Sequence, residues 1–376
     1  MEKMYKIFWF RLPKIAGRVL AGTGTLADGA YLTAWPGVIA ALPIGLFLLG
    51  TLIGSLRLGT GRFFSESIVL VSLFIIVGGV AAHLGFWFCL GYTVGDFVFF
   101  RPLTGPIGPA LLRDFLFSSG AALLQYALCG TLAVGIPVVI SYLHLLITLR
   151  LGVQAQCKKW TRWLIRGAIA GLLLYLWTSA YPAQAISIYR LARSVPSPQA
   201  MITIIRFKYF FVVEAFAIGV FRGYLESIAF TVPGARNRLI QFAAVLGESK
   251  RSAKGVPLWL RTALKVLVMT VMLSALYTAW WQGLILFLAV SSTLLISGRE
   301  LVRMVWSDIW IRRTGVLTRL VVASLGNYCI GLCSILLILK SSSSILHFGA
   351  ILTASVGSVT FVSVLLPSAE RSASPR

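Results

Sequence analysis

The stretch from Thr262 to Ser297, TALKVLVMTVMLSALYTAWWQGLILFLAVSSTLLIS, carries a single charge, Lys265. Its apolar residues run on continuously and do not alternate at period two, which sets aside the pattern of a transmembrane barrel strand. In hydrocarbon every backbone N–H and C=O must find its partner within the segment, and a helix achieves this where an open strand does not. About 20 residues at 1.5 Å each cross a bilayer core of roughly 30 Å, so the stretch is long enough for two crossings. The polar break at Trp280, Trp281, Gln282 and Gly283 marks the expected turn.

Working outward, similar runs recur along the chain. A second hairpin is expected over 316–367, turning at Lys340 and the serines Ser341 to Ser344. Toward the N-terminus, spans are expected over about 35–56, from Ile68 to about Tyr92, within Phe115 to Leu149 around Pro137, and over 163–188. The segment 209–230 is ambiguous between crossing and lying in the interface, because Glu214, Arg222 and Glu226 interrupt it. The fold class is therefore an all-α polytopic transmembrane bundle of about eight spans, within a range of seven to ten. Five regions follow: a basic segment 1–34, a transmembrane region 35–188, a basic linker region 189–261, a region of two hairpins 262–367, and a polar tail 368–376.

Composition agrees with this class. Of 376 residues 58% are apolar and 12% charged, and the mean hydropathy is +0.88. A water-soluble fold has nowhere to put that much apolar surface. The 34 Lys and Arg against 11 Asp and Glu give a net charge of +23. In a soluble protein that charge would suggest nucleic acid. Here the basic residues gather in short connections, as the positive-inside bias requires, where they also attract anionic lipid headgroups. Direct nucleic-acid binding is therefore not expected.

Residues 1–34 read as an interfacial amphipathic helix and not as a cleavable signal, since Lys6, Arg11, Lys14 and Arg18 interrupt every apolar stretch. Lys3, Lys6, Arg11, Lys14 and Arg18 share one arc, with Tyr5, Phe8, Trp9, Leu12, Ile15 and Val19 opposite and Pro13 kinking or splitting the helix. Five basic residues there, and basic connections over 231–261 and 298–315, place both termini in the cytoplasm of a multi-pass inner-membrane protein. One conflict remains. Three spans before residue 150 put the basic connection of Arg150, Lys158, Lys159 and Arg162 outside. If 209–230 is interfacial, eight spans leave that single violation; if it crosses, an upstream span must be split or re-entrant.

An ionisable residue at membrane depth is costly, which brings Glu214 forward as an ion or proton site. Arg222 and Glu226, spaced i,i+4, are able to pair along the helix. Asp96 and Arg101 bracket the end of the second run beside a Pro- and Gly-rich stretch that reads as a gate, a pocket or an ordinary loop. Arg236, Arg238, Lys250, Arg251, Lys254, Arg312 and Arg313 are the candidates for docking lipid or a protein partner. His83, His144 and His347 stand singly, and the five cysteines, Cys89, Cys129, Cys157, Cys329 and Cys333, have neither zinc spacing nor the setting of a disulfide framework. No phosphate-binding loop occurs, no catalytic set is recognisable, and no metal or cofactor is expected. Gly50 with Gly54, Gly167 with Gly171, and Gly349 with Thr353 and Gly357 place small residues on one helix face, suited first to intramolecular packing and then to an oligomer.

These readings favour a non-enzymatic subunit of a membrane-embedded secretion, DNA-transfer or transport complex, with protein partners. The alternative is a secondary transporter or ion channel built on Glu214. A membrane-embedded lipid-modifying enzyme is the weaker third.

Overall fold

The computed structural model describes Trp9, residues 28–39, 41–56, 67–100, 125–150, 159–191, 198–229, 231–235, 280–298 and 344–365, and isolated positions within 237–240, 262–270 and 322–334. Among the described residues the secondary structure is entirely helical, with no strand. The chain divides into two units, Met1–Val256 and Pro257–Arg376.

In the first unit a 3-10 turn, Ala30–Ala34, and a single α-turn, Pro36–Ile39, lead into α1, Leu42–Leu56. Then come α2, Ile68–Val80, and α3, Ala82–Phe100. Helix α4 covers 125–150 and contains a π-helical turn, Thr131–Gly135, before Ile136–Arg150. The unit continues with α5, Lys159–Leu191, the short α6, Pro198–Arg206, and α7, Lys208–Ala229.

The run expected as one span from Ile68 to Tyr92 is two helices. Ala81 is extended, with φ −157° and ψ 130°, and the chain doubles back there. Phe74 stacks edge-on against Phe88 and Tyr92, with ring centroids 5.0 and 5.6 Å apart, so α2 and α3 lie antiparallel. The remaining directions follow from paired residues. Gly50 and Gly54 of α1 meet the α3 backbone around Gly91 and Gly95, in parallel register. Tyr126 of α4 meets Asp96, and Ala133 meets Gly85, so α4 runs against α3. Arg166 of α5 reaches Ser141, and Trp177 reaches Thr131. Trp163 of α5 packs on Gly223 of α7, and Lys208 bonds Ser179. Helices α1, α3 and α5 therefore start at the end of the unit that holds Asp28, and α2, α4 and α7 finish there.

Small residues allow these approaches. A Cβ at Gly50, Gly54, Gly91 or Gly95 would strike the backbone of the facing helix, so the α1–α3 seam depends on all four. Pro137 has no N–H to offer the carbonyl of Ala133 four residues earlier, and that oxygen lies in the crevice between Gly78 and Gly85.

Large apolar side chains lie on the outside of the unit as well as in its core, and a few charged ones lie inside. Leu48, Leu52, Val69, Leu172, Leu176, Tyr209 and Val213 are exposed, whereas Arg166, Arg222 and His83 are at most 3% exposed. Two described helical stretches are long and apolar enough to cross a membrane, Gln125–Leu145 and Trp160–Pro182. Leu42–Leu56, Ile68–Val80, Trp281–Leu294 and Phe348–Val359 are shorter apolar helices.

Of the expected interfacial segment 1–34 the structure describes Trp9 and residues 28–34, and its basic arc lies outside the described residues. Trp9 is fully buried, its ring 4.6 Å from that of His83 and its Nε1 donating to Ile39 O at 3.4 Å. Tyr31, Leu32, Thr33 and Ala34 are buried as well.

In the second unit, α8, Trp280–Gly298, packs on α9, Ser344–Leu365, through Leu286 and Val290 with Leu352, Val356 and Val359. Both helices begin at the polar breaks read from the sequence, although Trp280–Gly283 form the first turn of α8 and not a loop.

Candidate functional site

A turn between two packed helices leaves carbonyls at the end of the first and N–H groups at the start of the second without partners, and buried in apolar surroundings each must be satisfied. At the α2–α3 turn, side chains from far away in sequence do this. Tyr31 Oη donates to Val80 O at 2.7 Å. Arg222 Nη1 donates to Gly79 O at 3.5 Å. On the other side of the turn, Ala82 N donates to Asp28 Oδ2 at 2.7 Å. The signs are complementary to the helix dipoles: a guanidinium sits at the C-terminus of α2 and a carboxylate at the N-terminus of α3.

These groups continue into a network that spans four elements. Arg222 holds Asp28 through Nη2 to Oδ1 and through Nη1 to Oδ2 at 2.9 Å, and its Nε donates to Glu226 Oε1 at 3.1 Å. Glu226 Oε2 accepts from Arg166 Nη1 of α5. Arg166 Nη2 donates to Ser141 Oγ of α4 at 3.0 Å, and Ser141 in turn donates to Asp28 Oδ1 at 2.7 Å. Two guanidiniums and two carboxylates make the ring neutral. The Tyr31 ring lies 5.7 Å from the Arg222 guanidinium and adds a cation–π contact. Burial pushes the Asp28 carboxyl up, but the Arg222 charge, with hydrogen bonds from Arg222, Ala82 and Ser141, outweighs it and holds Asp28 below the usual carboxylate range. Gly29 is required beside Asp28, because its φ is +99° and a Cβ there would meet Ala81 Cβ at 2.6 Å.

A cavity of about 30 Å³ lies against the network, lined by Arg166, Arg222 and apolar residues including Ile75, Ala215, Ile218 and Gly219. That volume holds a water molecule or two. Arg166 Nε is buried without a hydrogen-bond partner among the described residues and borders it.

The positions singled out by sequence are distributed as follows. Arg222 and Glu226 pair as their i,i+4 spacing suggested, and both belong to the network. Glu214 lies apart on α7, its Oε2 buried without a hydrogen-bond partner among the described residues. Asp96, near the end of α3, accepts from Tyr126 Oη at the opposite end of the unit. Arg101, Arg236, Arg238, Lys250, Arg251, Lys254, Arg312 and Arg313 lie outside the described residues. His83 accepts from Trp87 Nε1 at 3.3 Å and packs on Trp9. Among the described residues no group of three His, Cys, Asp or Glu is placed to hold a metal ion.

Sequence reasoning missed Asp28, Arg166 and Ser141. Arg166 carried a usable signal, since it is a charge inside an apolar span; Asp28 carried little, because an Asp-Gly pair reads as a surface turn. Comparison with protein-family models, with curated proteins and with solved structures finds no match to this chain.

Proposed function

We propose that the chain is a polytopic cytoplasmic-membrane protein acting as a non-enzymatic subunit of a membrane-embedded secretion, DNA-transfer or transport complex. Support for the membrane reading comes from the many large apolar side chains that face outward, beside the buried guanidiniums of Arg166 and Arg222. On this reading the first unit makes six passes. The fold-back at Ala81 supplies the pass missing from the sequence count, so the connections after α4 and after α7 return to the Asp28 end. Connections at that end carry roughly twice as many Lys and Arg as those at the other, which makes it the cytoplasmic end. With two hairpins in the second unit, the total is ten, at the upper limit of the range from sequence.

The subunit reading rests on the charge network. Arg222, Glu226, Asp28 and Arg166 are committed to one another and to a helical turn, and the cavity beside them is far below the roughly 300 Å³ of a small-molecule pocket. Charges used in this way stiffen a scaffold. The test has two arms. Impermeant thiol reagents on a Cys-less chain with single cysteines at Thr104, Gln154, Pro196 and Val245 are expected to reach 104 and 196 from outside and 154 and 245 from inside. Purification from native membranes in mild detergent is expected to recover defined partner chains. A lone monomer would remove the subunit reading, and 196 and 245 on one side would remove the six-pass topology.

One observation favours a second reading, a secondary transporter or ion channel. Glu214 Oε2 is buried without a hydrogen-bond partner among the described residues. Unchanged ion flux in Glu214→Gln, in an assay where the parent is active, would eliminate it.

A further inference from the structure

We propose that the bend between α6 and α7 binds the headgroup of an anionic phospholipid in the outer leaflet, with Arg206 and Lys208 supplying the charge. This inference rests on the membrane crossing of the first unit proposed above. Helix α7 has 22 residues, about 33 Å at 1.5 Å each, against roughly 30 Å of hydrocarbon. Arg222 and Glu226 belong to the cytoplasmic end, so Lys208 falls at the outer boundary and α6 beyond it, at headgroup level.

The helical ladder runs through the bend, since Phe207 N donates to Thr203 O and Phe211 N to Phe207 O, both at 3.1 Å. One outward stripe therefore continues from α6 into α7. Ile202, Ile205, Arg206, Tyr209, Phe210 and Val213 follow the i, i+3, i+4, i+7, i+8, i+11 spacing of a helix face, and all six are exposed. Ile204 and Phe211, on the other side, are fully buried. The stripe carries one charge, the Arg206 guanidinium. Deeper along it, Tyr209, Phe210 and Val213 offer an apolar wall for acyl chains.

Lys208 joins the stripe from the α5 side. Its Nζ donates to Ser179 Oγ at 2.6 Å and lies 3.6 Å from the centroid of the Tyr175 ring. It also stands 6.0 Å from the ring of Tyr209, the stripe residue three positions after Arg206. A hydroxyl and two rings orient the ammonium and leave its charge uncancelled. No Asp or Glu occurs between Asp114 and Glu214, and neither cation has a carboxylate partner among the described residues. Glu214 itself is six residues deeper along α7 than Lys208, about 9 Å. Two uncancelled cations at headgroup level call for an anion. A phosphodiester suits both, because the planar guanidinium takes two of its oxygens and the ammonium adds a point charge. A headgroup that brings its own ammonium meets repulsion there, which favours the anionic class over the zwitterionic one.

The experiment is photo-crosslinking of the full chain reconstituted in phosphatidylcholine vesicles. The vesicles carry a trace of one probe, a phosphatidylglycerol or a phosphatidylcholine with a diazirine high in its acyl chain. Peptide mass spectrometry is expected to find several-fold more adduct on residues 202–213 with the phosphatidylglycerol probe. That excess is expected to vanish when Arg206→Gln and Lys208→Gln are combined. Adducts on Leu48 and Leu52, which face outward on α1, are the reference and should not depend on the headgroup. Equal or absent labelling of 202–213 where Leu48 and Leu52 are labelled, or an excess that survives the double variant, would overturn the headgroup site and leave the membrane crossing standing. No adduct at either place with either probe would overturn the crossing, and the site with it. The parent chain read with two probes carries the primary result, so a variant that fails to fold does not blunt the test.

Discussion

Removing one partner of the Asp28–Arg222 pair leaves a buried charge with nothing to balance it, and the size of the effect follows from what each side chain holds. Asp28 and Arg222 side chains are 6% and 4% exposed. Breaking a pair so buried costs about 3–5 kcal/mol. Asp28→Ala also orphans the Ala82 N–H, adding roughly 1–3 kcal/mol. Arg222→Met frees Asp28, Gly79 O and one oxygen of Glu226, and is expected to cost about 3–5 kcal/mol. The double variant has no unpaired charge from this pair and loses chiefly the cap, about 2 kcal/mol. These costs put the coupling energy at about 5 kcal/mol or more. Unfolding by SDS titration, followed by thiol reactivity of the buried Cys89 and Cys129, measures all three variants in a background carrying Cys157→Ser, Cys329→Ser and Cys333→Ser. Single-variant losses that add to within about 0.5 kcal/mol would refute the network as an energetic unit.

Three further outcomes are expected from the same assay. Asp28 is held below the usual carboxylate range, so its contribution is complete above about pH 4 and is lost as pH falls through the folded value; the acid limb of the SDS midpoint should vanish in Asp28→Asn. Gly91→Val drives side-chain atoms into the Phe47 backbone and should destabilise by about 2 kcal/mol or more, whereas Gly349→Ala enters open space and should be neutral or slightly stabilising. Trp9→Ala should cost about 3–5 kcal/mol, because the ring is buried on His83; a change under about 0.5 kcal/mol would refute that packing.

Continuous apolar runs by themselves pointed to the helical class found among the described residues, because an apolar segment that must close its own hydrogen bonds does so as a helix. The starts of α8 and α9 were legible for a related reason: Trp280 and Ser344 sit where local polarity breaks the run. The Arg222–Glu226 pair was legible because i,i+4 spacing is a property of the helix alone. Only tertiary structure decided the fold-back at Ala81. Residues VGGVAAHL from Val77 to Leu84 hold no charge and no proline, so hydropathy runs through the turn unmarked. The groups that make that turn affordable in an apolar interior, Asp28, Tyr31 and Arg222, lie 54, 49 and 143 residues away from the atoms they satisfy. A capping requirement met at such separations leaves no local pattern; Arg166 stood out as a charge inside an apolar span, but its partners Ser141 and Glu226, arriving on two other helices, did not.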